Sequence, residues 1–329
     1  MVAVKAPAAR SPRLVTHYLL LAFAASFLCG TVFVIHNSHT QSMHIRAHVA
    51  KPHLIYGTAW KKGQTATLVS DAVKAGFRHI DTACQPKHYN EPGVGNGWKA
   101  AAEELGLERK DLWLQTKFTP IGGQDPKNVP YDPTKPIDEQ AKASLKMSLK
   151  NLQTTYLDSW VLHSSPGTFD DLMKVWRVME EAVDNHQAKA IGISNIYDPP
   201  TFRMLYEQAR HKPSFLQNRF TKKTDFDTDL RHFCQSHKIQ YQSFWTLTAN
   251  VRALDTEKVR KLAEGKELTP QTYMYAFLMS LGYVTPLSGT TDKSHMEEDV
   301  AAMARLQEGE QMFTLDEQKY MAKLLDMHL

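Results

Sequence analysis

Short runs of β-branched, aromatic and leucine residues alternate along most of the chain with longer stretches whose apolar positions recur every three or four residues. The short runs fall at 53–57 (HLIYG), 78–81 (RHID), 112–117 (LWLQTK), 158–163 (DSWVLH), 190–194 (AIGIS), 215–219 (FLQNR), 239–244 (IQYQSF) and 283–287 (YVTPL). Helical periodicity occupies 65–76, 93–106, 137–152, 170–186, 199–210, 226–237, 270–281 and 293–306. Strand followed by amphipathic helix is the unit of an α/β fold, and eight units in a span of roughly 250 residues predict a (β/α)8 TIM barrel. The tail Thr314–Leu329 predicts a closing helix, with Thr314 as N-cap and Glu317 completing a capping box. GVGNGW at 93–98 imitates a dinucleotide fingerprint, but Trp98 stands where its third glycine belongs and no strand directly precedes it. A doubly wound fold is therefore set aside.

One stretch breaks the alternation. Residues 18–35, YLLLAFAASFLCGTVFVI, contain no charge and are long enough to span most of a hydrocarbon core of about 30 Å. The expected organisation is a basic tail at 1–14, an apolar helix serving as a transmembrane anchor at 15–36, a polar linker at 37–50, and the barrel with its C-terminal helix at 51–329. Lys5, Arg10 and Arg13 before the run place the N-terminus in the cytosol and predict a single-pass membrane protein. A cleaved signal, a targeting presequence and a buried core helix are the competing readings, and a cytoplasmic protein is the alternative location. The histidines of HNSHTQSMHIRAHVA have no spacing that fixes them on one face, so they read as a solvated tether and no metal site is expected.

Composition narrows the partners. With 42% apolar residues the chain can bury a full-sized core, and its 39 basic and 35 acidic residues are interspersed without the basic stripe that nucleic acid requires. Cys29, Cys84 and Cys234 are too scattered for a disulfide framework. No heptad or other assembly motif is evident, so a monomer is expected.

Candidate chemistry follows from the barrel, whose active site lies at the C-terminal ends of its strands. Three consecutive strands end in ionisable residues, Asp81, Lys117 and His163, and Tyr89 follows Asp81 in the next loop. An ammonium beside a phenol favours the phenolate, so Lys117, held charged by Asp81, is expected to lower the Tyr89 pKa. Residues 118–136, with five prolines and two glycines, form a loop long enough to be functional and are expected to overhang the site.

The ordered set GFRHIDTA, YNE, TK, LHS, GISN and LQN resembles the aldo-keto reductase superfamily, an NADP-dependent oxidoreductase domain, over residues 53–313. The resemblance implies hydride transfer from a nicotinamide to a small-molecule carbonyl, with Tyr89 as proton donor, Lys117 and Asp81 tuning it, and His163 positioning the carbonyl. The family's tyrosine sits two residues before its Asn-Glu pair, where this chain has His88, so His88 is the alternative acid. Ser194, Asn195 and Gln217 would hold the carboxamide, and Phe244, with Trp245 as second choice, would stack on the nicotinamide. Ser288, Gly289, Thr290, Lys293, His295 and Glu298 would serve the phosphate end, the loop at the N-terminus of its helix supplying hydroxyls and N–H groups. That segment is thin in positive charge, so NADPH is expected on the resemblance and NADH competes. Trp60, His88, Phe118 and Ser164 would line the substrate pocket, which suggests a hydrophobic carbonyl compound. The family also includes non-catalytic nucleotide-binding subunits of membrane channels, and such a regulatory role is the alternative function.

Overall fold

The computed structural model describes residues 53–325 and Met327. The tail, anchor and linker expected at 1–50 lie outside the described residues. Eight strands, β1 (Ile55–Gly57), β2 (His79–Asp81), β3 (Trp113–Phe118), β4 (Ser159–Leu162), β5 (Ile191–Ser194), β6 (Phe215–Arg219), β7 (Gln240–Phe244) and β8 (Val284–Ser288), close into one parallel barrel in sequence order. Each pairs with the next, and β8 returns to β1 with Leu287 opposite Ile55. Parallel neighbours require crossovers, and each strand is followed by helical structure that covers the barrel's outside.

Helices α1 (Thr65–Ala75), α2 (Glu91–Leu105), α3 (Ile137–Asn151), α4 (Phe169–Asp184), α5 (Pro199–Gln208) and α6 (Thr228–Ser236) follow β1 to β6. Between β7 and β8 lie three helices, α7 (Val251–Leu254), α8 (Glu257–Glu264) and α9 (Pro270–Ser280). The first two fall outside the helical stretches expected from the sequence: α7 has only 4 residues, and α8 is short and charged apart from the one face formed by Val259, Leu262 and Ala263. A further local signal is Thr256, whose hydroxyl caps the helix by accepting from the Val259 N–H. Helix α6 starts later than the pattern suggests, since Asp225, Phe226 and Asp227 all take left-handed backbone angles. After β8 come α10 (Lys293–Gln307) and α11 (Leu315–Leu325). The Thr314–Glu317 capping box forms in both directions.

The large apolar side chains sit between barrel and helices, with Trp160, Trp176, Phe202 and Tyr241 fully buried. The GVGNGW segment belongs to α2, and its glycines serve packing: a Cβ at Gly95 would collide with the Asn151 carbonyl oxygen, and one at Gly97 with that of Ala66. Among the described residues, no helix is long and apolar enough to cross a membrane.

Candidate active site

At the C-terminal mouth of the barrel, β2 ends on Asp81 and β3 presents Lys117 beside it, both side chains essentially without solvent exposure. Lys117 Nζ donates to Asp81 Oδ2 at 2.6 Å and to the Thr82 carbonyl at 2.8 Å. Burial lowers the Lys117 pKa, and the Asp81 carboxylate opposes that shift. The other carboxylate oxygen, Oδ1, accepts from Gln115 Nε2 at 2.7 Å and Gln217 Nε2 at 3.1 Å. Gln242 Oε1 accepts from the same two amides at 2.7 and 2.8 Å. A ring of three buried glutamines from β3, β6 and β7 thus supports the acid–base pair through a connected hydrogen-bond network. Gln115 and Gln242 were not singled out by sequence reasoning.

Tyr89 closes over this pair. Lys117 Nζ lies 5.2 Å from the centre of its ring, and the His163 ring meets it edge-on at 5.9 Å. Burial, and secondarily the Asp81 charge, push the Tyr89 phenol above its usual value. Burial thus works against the expectation that Lys117 lowers it, because desolvation of a phenolate in this pocket is the leading cause of the shift. The imidazole of His163 is held well below its ordinary pKa by burial and then by the Lys117 charge, so it is neutral. Its Nδ1 is engaged by Thr119 Oγ1 at 2.6 Å. His88 is placed differently, stacked on Trp60 with ring centres 3.7 Å apart. Tyr89, not His88, is therefore the residue brought over Lys117.

A cleft of about 660 Å³ runs from Tyr89 and His163, past Asn195, Gln217 and Phe244, to Ser288, His295 and Asp299. Trp60, Asn195 and Trp245 on its rim all have left-handed backbone angles, with φ of 66°, 51° and 56°. Non-glycine residues in that region cost free energy and cluster at functional sites. Asn195 donates through Nδ2 to the His163 carbonyl at 2.9 Å and to Ser194 Oγ at 3.1 Å, tying β5 to β4. With the Gln217 N–H groups spent on Asp81 and Gln242, its carbonyl Oε1 and the Ser194 hydroxyl proton are what remain for a primary amide such as nicotinamide's. Phe244 and Trp245 offer ring faces on the same side, and the Arg219 guanidinium stacks 4.0 Å from the Trp245 ring. The Arg219 Nε is buried without a hydrogen-bond partner, an orphaned donor that fits an anionic dinucleotide.

The far end of the cleft corrects several expectations. Asp292 caps α10, its Oδ1 accepting from the Ser294 and His295 N–H groups at 2.8 and 3.3 Å, so that helix N-terminus already holds an anion. Lys293 stands outside the cleft lining on an exposed position, while Ser288, Gly289, Thr290 and His295 do line it. Glu298 faces α9, where its carboxylate accepts from the Thr269 N–H at 2.5 Å, and so caps a helix instead of meeting a ligand. The carboxylate that does reach the cleft is Asp299, which accepts from Thr272 Oγ1 and Ser288 Oγ and is pushed by burial up to about 6. Lys61, also missed by sequence reasoning, donates to the Gly289 and Thr290 carbonyls at 2.9 and 3.3 Å, and burial lowers it to about 8. On the substrate side Trp60 stands at the rim, 58% exposed. Phe118 does not: it is fully buried against Tyr131, because the end of β3 turns it outward into the helical layer. Ser164 is half-buried and lies beyond the cleft lining.

A closed parallel barrel with a buried ammonium–carboxylate pair under a tyrosine, facing a dinucleotide-sized cleft, defines a barrel oxidoreductase. The chain belongs to the aldo/keto reductase family, whose model matches residues 53–319, and is an NAD(P)H-dependent oxidoreductase. It is 32% identical over 205 residues to glyoxal reductase of Bacillus subtilis, covering 62% of this chain and 66% of that one. It is 27% identical over 242 residues to 9,11-endoperoxide prostaglandin H2 reductase of Trypanosoma cruzi, covering 72% and 76%. Similar solved structures include an aldo/keto reductase from Brucella melitensis, with a TM-score of 0.67 and 23% identity over 82% of this chain and 94% of that one. An aldo-keto reductase of Bombyx mori in complex with NADP has a TM-score of 0.67 and 20% identity, covering 84% and 90%.

Proposed function

We propose that the protein reduces an aldehyde or ketone to the alcohol with NADPH, using Tyr89 as general acid. The observation that carries this reading is the packing of the Tyr89 ring over Lys117 Nζ at 5.2 Å and against His163 at 5.9 Å. NADPH supplies the hydride when bound. Gln217 Oε1 and the Ser194 hydroxyl would hold its carboxamide, Phe244 or Trp245 would cover its ring, and Arg219 in the cleft lining, with Lys61 bonded to the carbonyl of Gly289 in that lining, would supply positive charge to its phosphates. The raised phenol pKa keeps Tyr89 protonated and able to donate as the carbonyl oxygen gains charge. Thr119 can donate to His163 Nδ1, which leaves Nε2–H as a neutral donor for orienting the carbonyl oxygen. Lys117 stabilises the tyrosinate left behind, and Asp81 with its glutamine ring keeps the ammonium fixed.

The test is oxidation of NADPH by the purified protein with a reactive aromatic aldehyde, together with Tyr89→Phe and His88→Ala. Tyr89→Phe should lower kcat by about 10²-fold or more while NADPH binding, read by fluorescence, is retained. Loss of turnover in His88→Ala with full activity in Tyr89→Phe would transfer the proton to His88. Tight NADPH binding with no turnover across a carbonyl panel would favour a regulatory nucleotide-binding role.

A further inference from the structure

The segment that carries His88 and Tyr89 has a second cavity on its other side, of about 640 Å³. This volume is typical of a small-molecule site, which usually measures roughly 300–1,000 Å³. Four residues, Trp60, Gln85, His88 and Tyr89, line both the cavity and the cleft described above. One outer wall is apolar, Val129 and Pro130 of the loop after β3 with Met147 on α3, from elements that contribute nothing to the cleft, while Asn128, Asn151, Lys62 and Lys87 make other parts of the lining polar. Met147 at 36% exposure and Trp60 at 58% are large apolar side chains left open to solvent around one hollow.

The walls are fixed in place. Gln124 Nε2 donates to the Cys84 and Thr119 carbonyls at 2.9 and 3.1 Å, Gln85 Nε2 to the Gly123 carbonyl at 2.6 Å, and the Tyr131 hydroxyl to the Thr119 carbonyl at 2.7 Å. The loop between β3 and α3 is thus pinned to the segment after β2. The one carboxylate at the cavity, Glu91, is buried and already accepts from Thr116, Ser148 and Asn151 at 2.6, 2.7 and 3.1 Å, so it offers no anion to a ligand. Gln85 Oε1 and His88 Nδ1 are buried without partners on the shared wall.

On the reading that Tyr89 is the proton donor, the reacting carbonyl stands beside Tyr89 and His163. Of the two volumes bordering Tyr89, the cleft carries the amide, aromatic and cationic groups suited to the dinucleotide, and the second carries an apolar wall. We propose that this second cavity receives the apolar tail of the substrate, a medium-length alkyl or aryl chain attached to the carbonyl carbon. Chain length then governs affinity, because each methylene buried from water strengthens binding by about fourfold.

The experiment compares kcat/KM for decanal with kcat/KM for propanal in the full chain, and again in Val129→Trp and Met147→Trp, which fill the cavity from two separate elements. The wild-type ratio should exceed ten, and each variant should lower it at least tenfold. A ratio unchanged in both variants, or an equal loss for both aldehydes, overturns the proposal. Binding of decan-1-ol, measured by calorimetry, gives a readout independent of turnover and should weaken at least tenfold in both variants. A wild-type chain that reduces no aldehyde yet loses decan-1-ol on filling the cavity would refute the reductase reading and retain the binding site. Normal turnover with decan-1-ol affinity unchanged would refute the binding site alone.

Discussion

Replacing Asp81 by Asn separates what the buried pair does for folding from what it does for chemistry. Asp81 Oδ2 faces Lys117 Nζ at 2.6 Å, its Oδ1 accepts from two amides, and Lys117 has no solvent exposure at all. The asparagine keeps one acceptor but turns an N–H2 toward groups that are themselves donors, and it leaves the ammonium with the Thr82 carbonyl as its remaining fixed partner. Breaking one side of a buried ion pair costs about 3–5 kcal/mol, less whatever is recovered when the lysine gives up its proton. Burial already depresses the Lys117 pKa, so losing the carboxylate should drive it to the neutral amine near neutral pH. Asp81→Asn should therefore lose about 3 kcal/mol in urea denaturation and at least about 10²-fold in kcat. The double variant Asp81→Asn with Lys117→Met removes the stranded charge and should regain most of the stability without regaining turnover. Recovery of stability and turnover together would refute a chemical role for the ammonium. A single variant with stability within about 1 kcal/mol of wild type would refute the claim that the buried ammonium depends on the Asp81 carboxylate.

The remaining predictions use other parts of the molecule. Asp299 has a folded-state pKa raised to about 6, so the native protein retains a proton that the unfolded chain has lost, and stability should fall as pH rises from about 4 through 6. The shift of about two units corresponds to about 3 kcal/mol, so between pH 4 and pH 7 the unfolding free energy of the wild type, from urea titration, should fall by up to that amount relative to Asp299→Asn. Parallel pH dependence in the two proteins would contradict this. Gly95→Ala forces a methyl group against the Asn151 carbonyl and should cost about 1–3 kcal/mol by denaturant titration, whereas Gly106→Ala meets no atom and suffers only from its left-handed φ of 67°. We also propose that residues 15–36 anchor the protein: the full chain should stay in the membrane fraction after an alkaline wash, and its release would dispose of the anchor.

The barrel was legible because eight short strand runs, most of their residues buried, recur with helical stretches between them. Asp81, Lys117 and His163 were legible for the same reason, since a strand's last polar residue marks the barrel mouth. The uneven spacing of Tyr89 resolves locally. His88 and Tyr89 both donate their N–H groups to the Gln85 carbonyl, so the chain turns there, and the next residue, Asn90, caps α2 by accepting from the Gly93 N–H. That turn brings the tyrosine over the lysine.

What stayed hidden depends on which side chains meet across the barrel. Gln115, Gln217 and Gln242 stand among other polar residues of β3, β6 and β7, such as Thr116, Asn218 and Ser243, so nothing in the runs marks them, and only barrel closure brings them around one carboxylate. The strand-end rule does extend to Arg219, the last residue of β6, whereas Lys61 lies past the end of β1 at Gly57, beyond the rule's reach. The phosphate end misled for a different reason. A helix N-terminus binds an anion only while its N–H groups are free, and the Asp292 that opens α10 supplies its own carboxylate to them. An acidic N-cap at a loop expected to hold phosphate therefore argues for cations elsewhere, and the buried Lys61 amine, anchored on the two carbonyls of that same loop, is where the structure puts one.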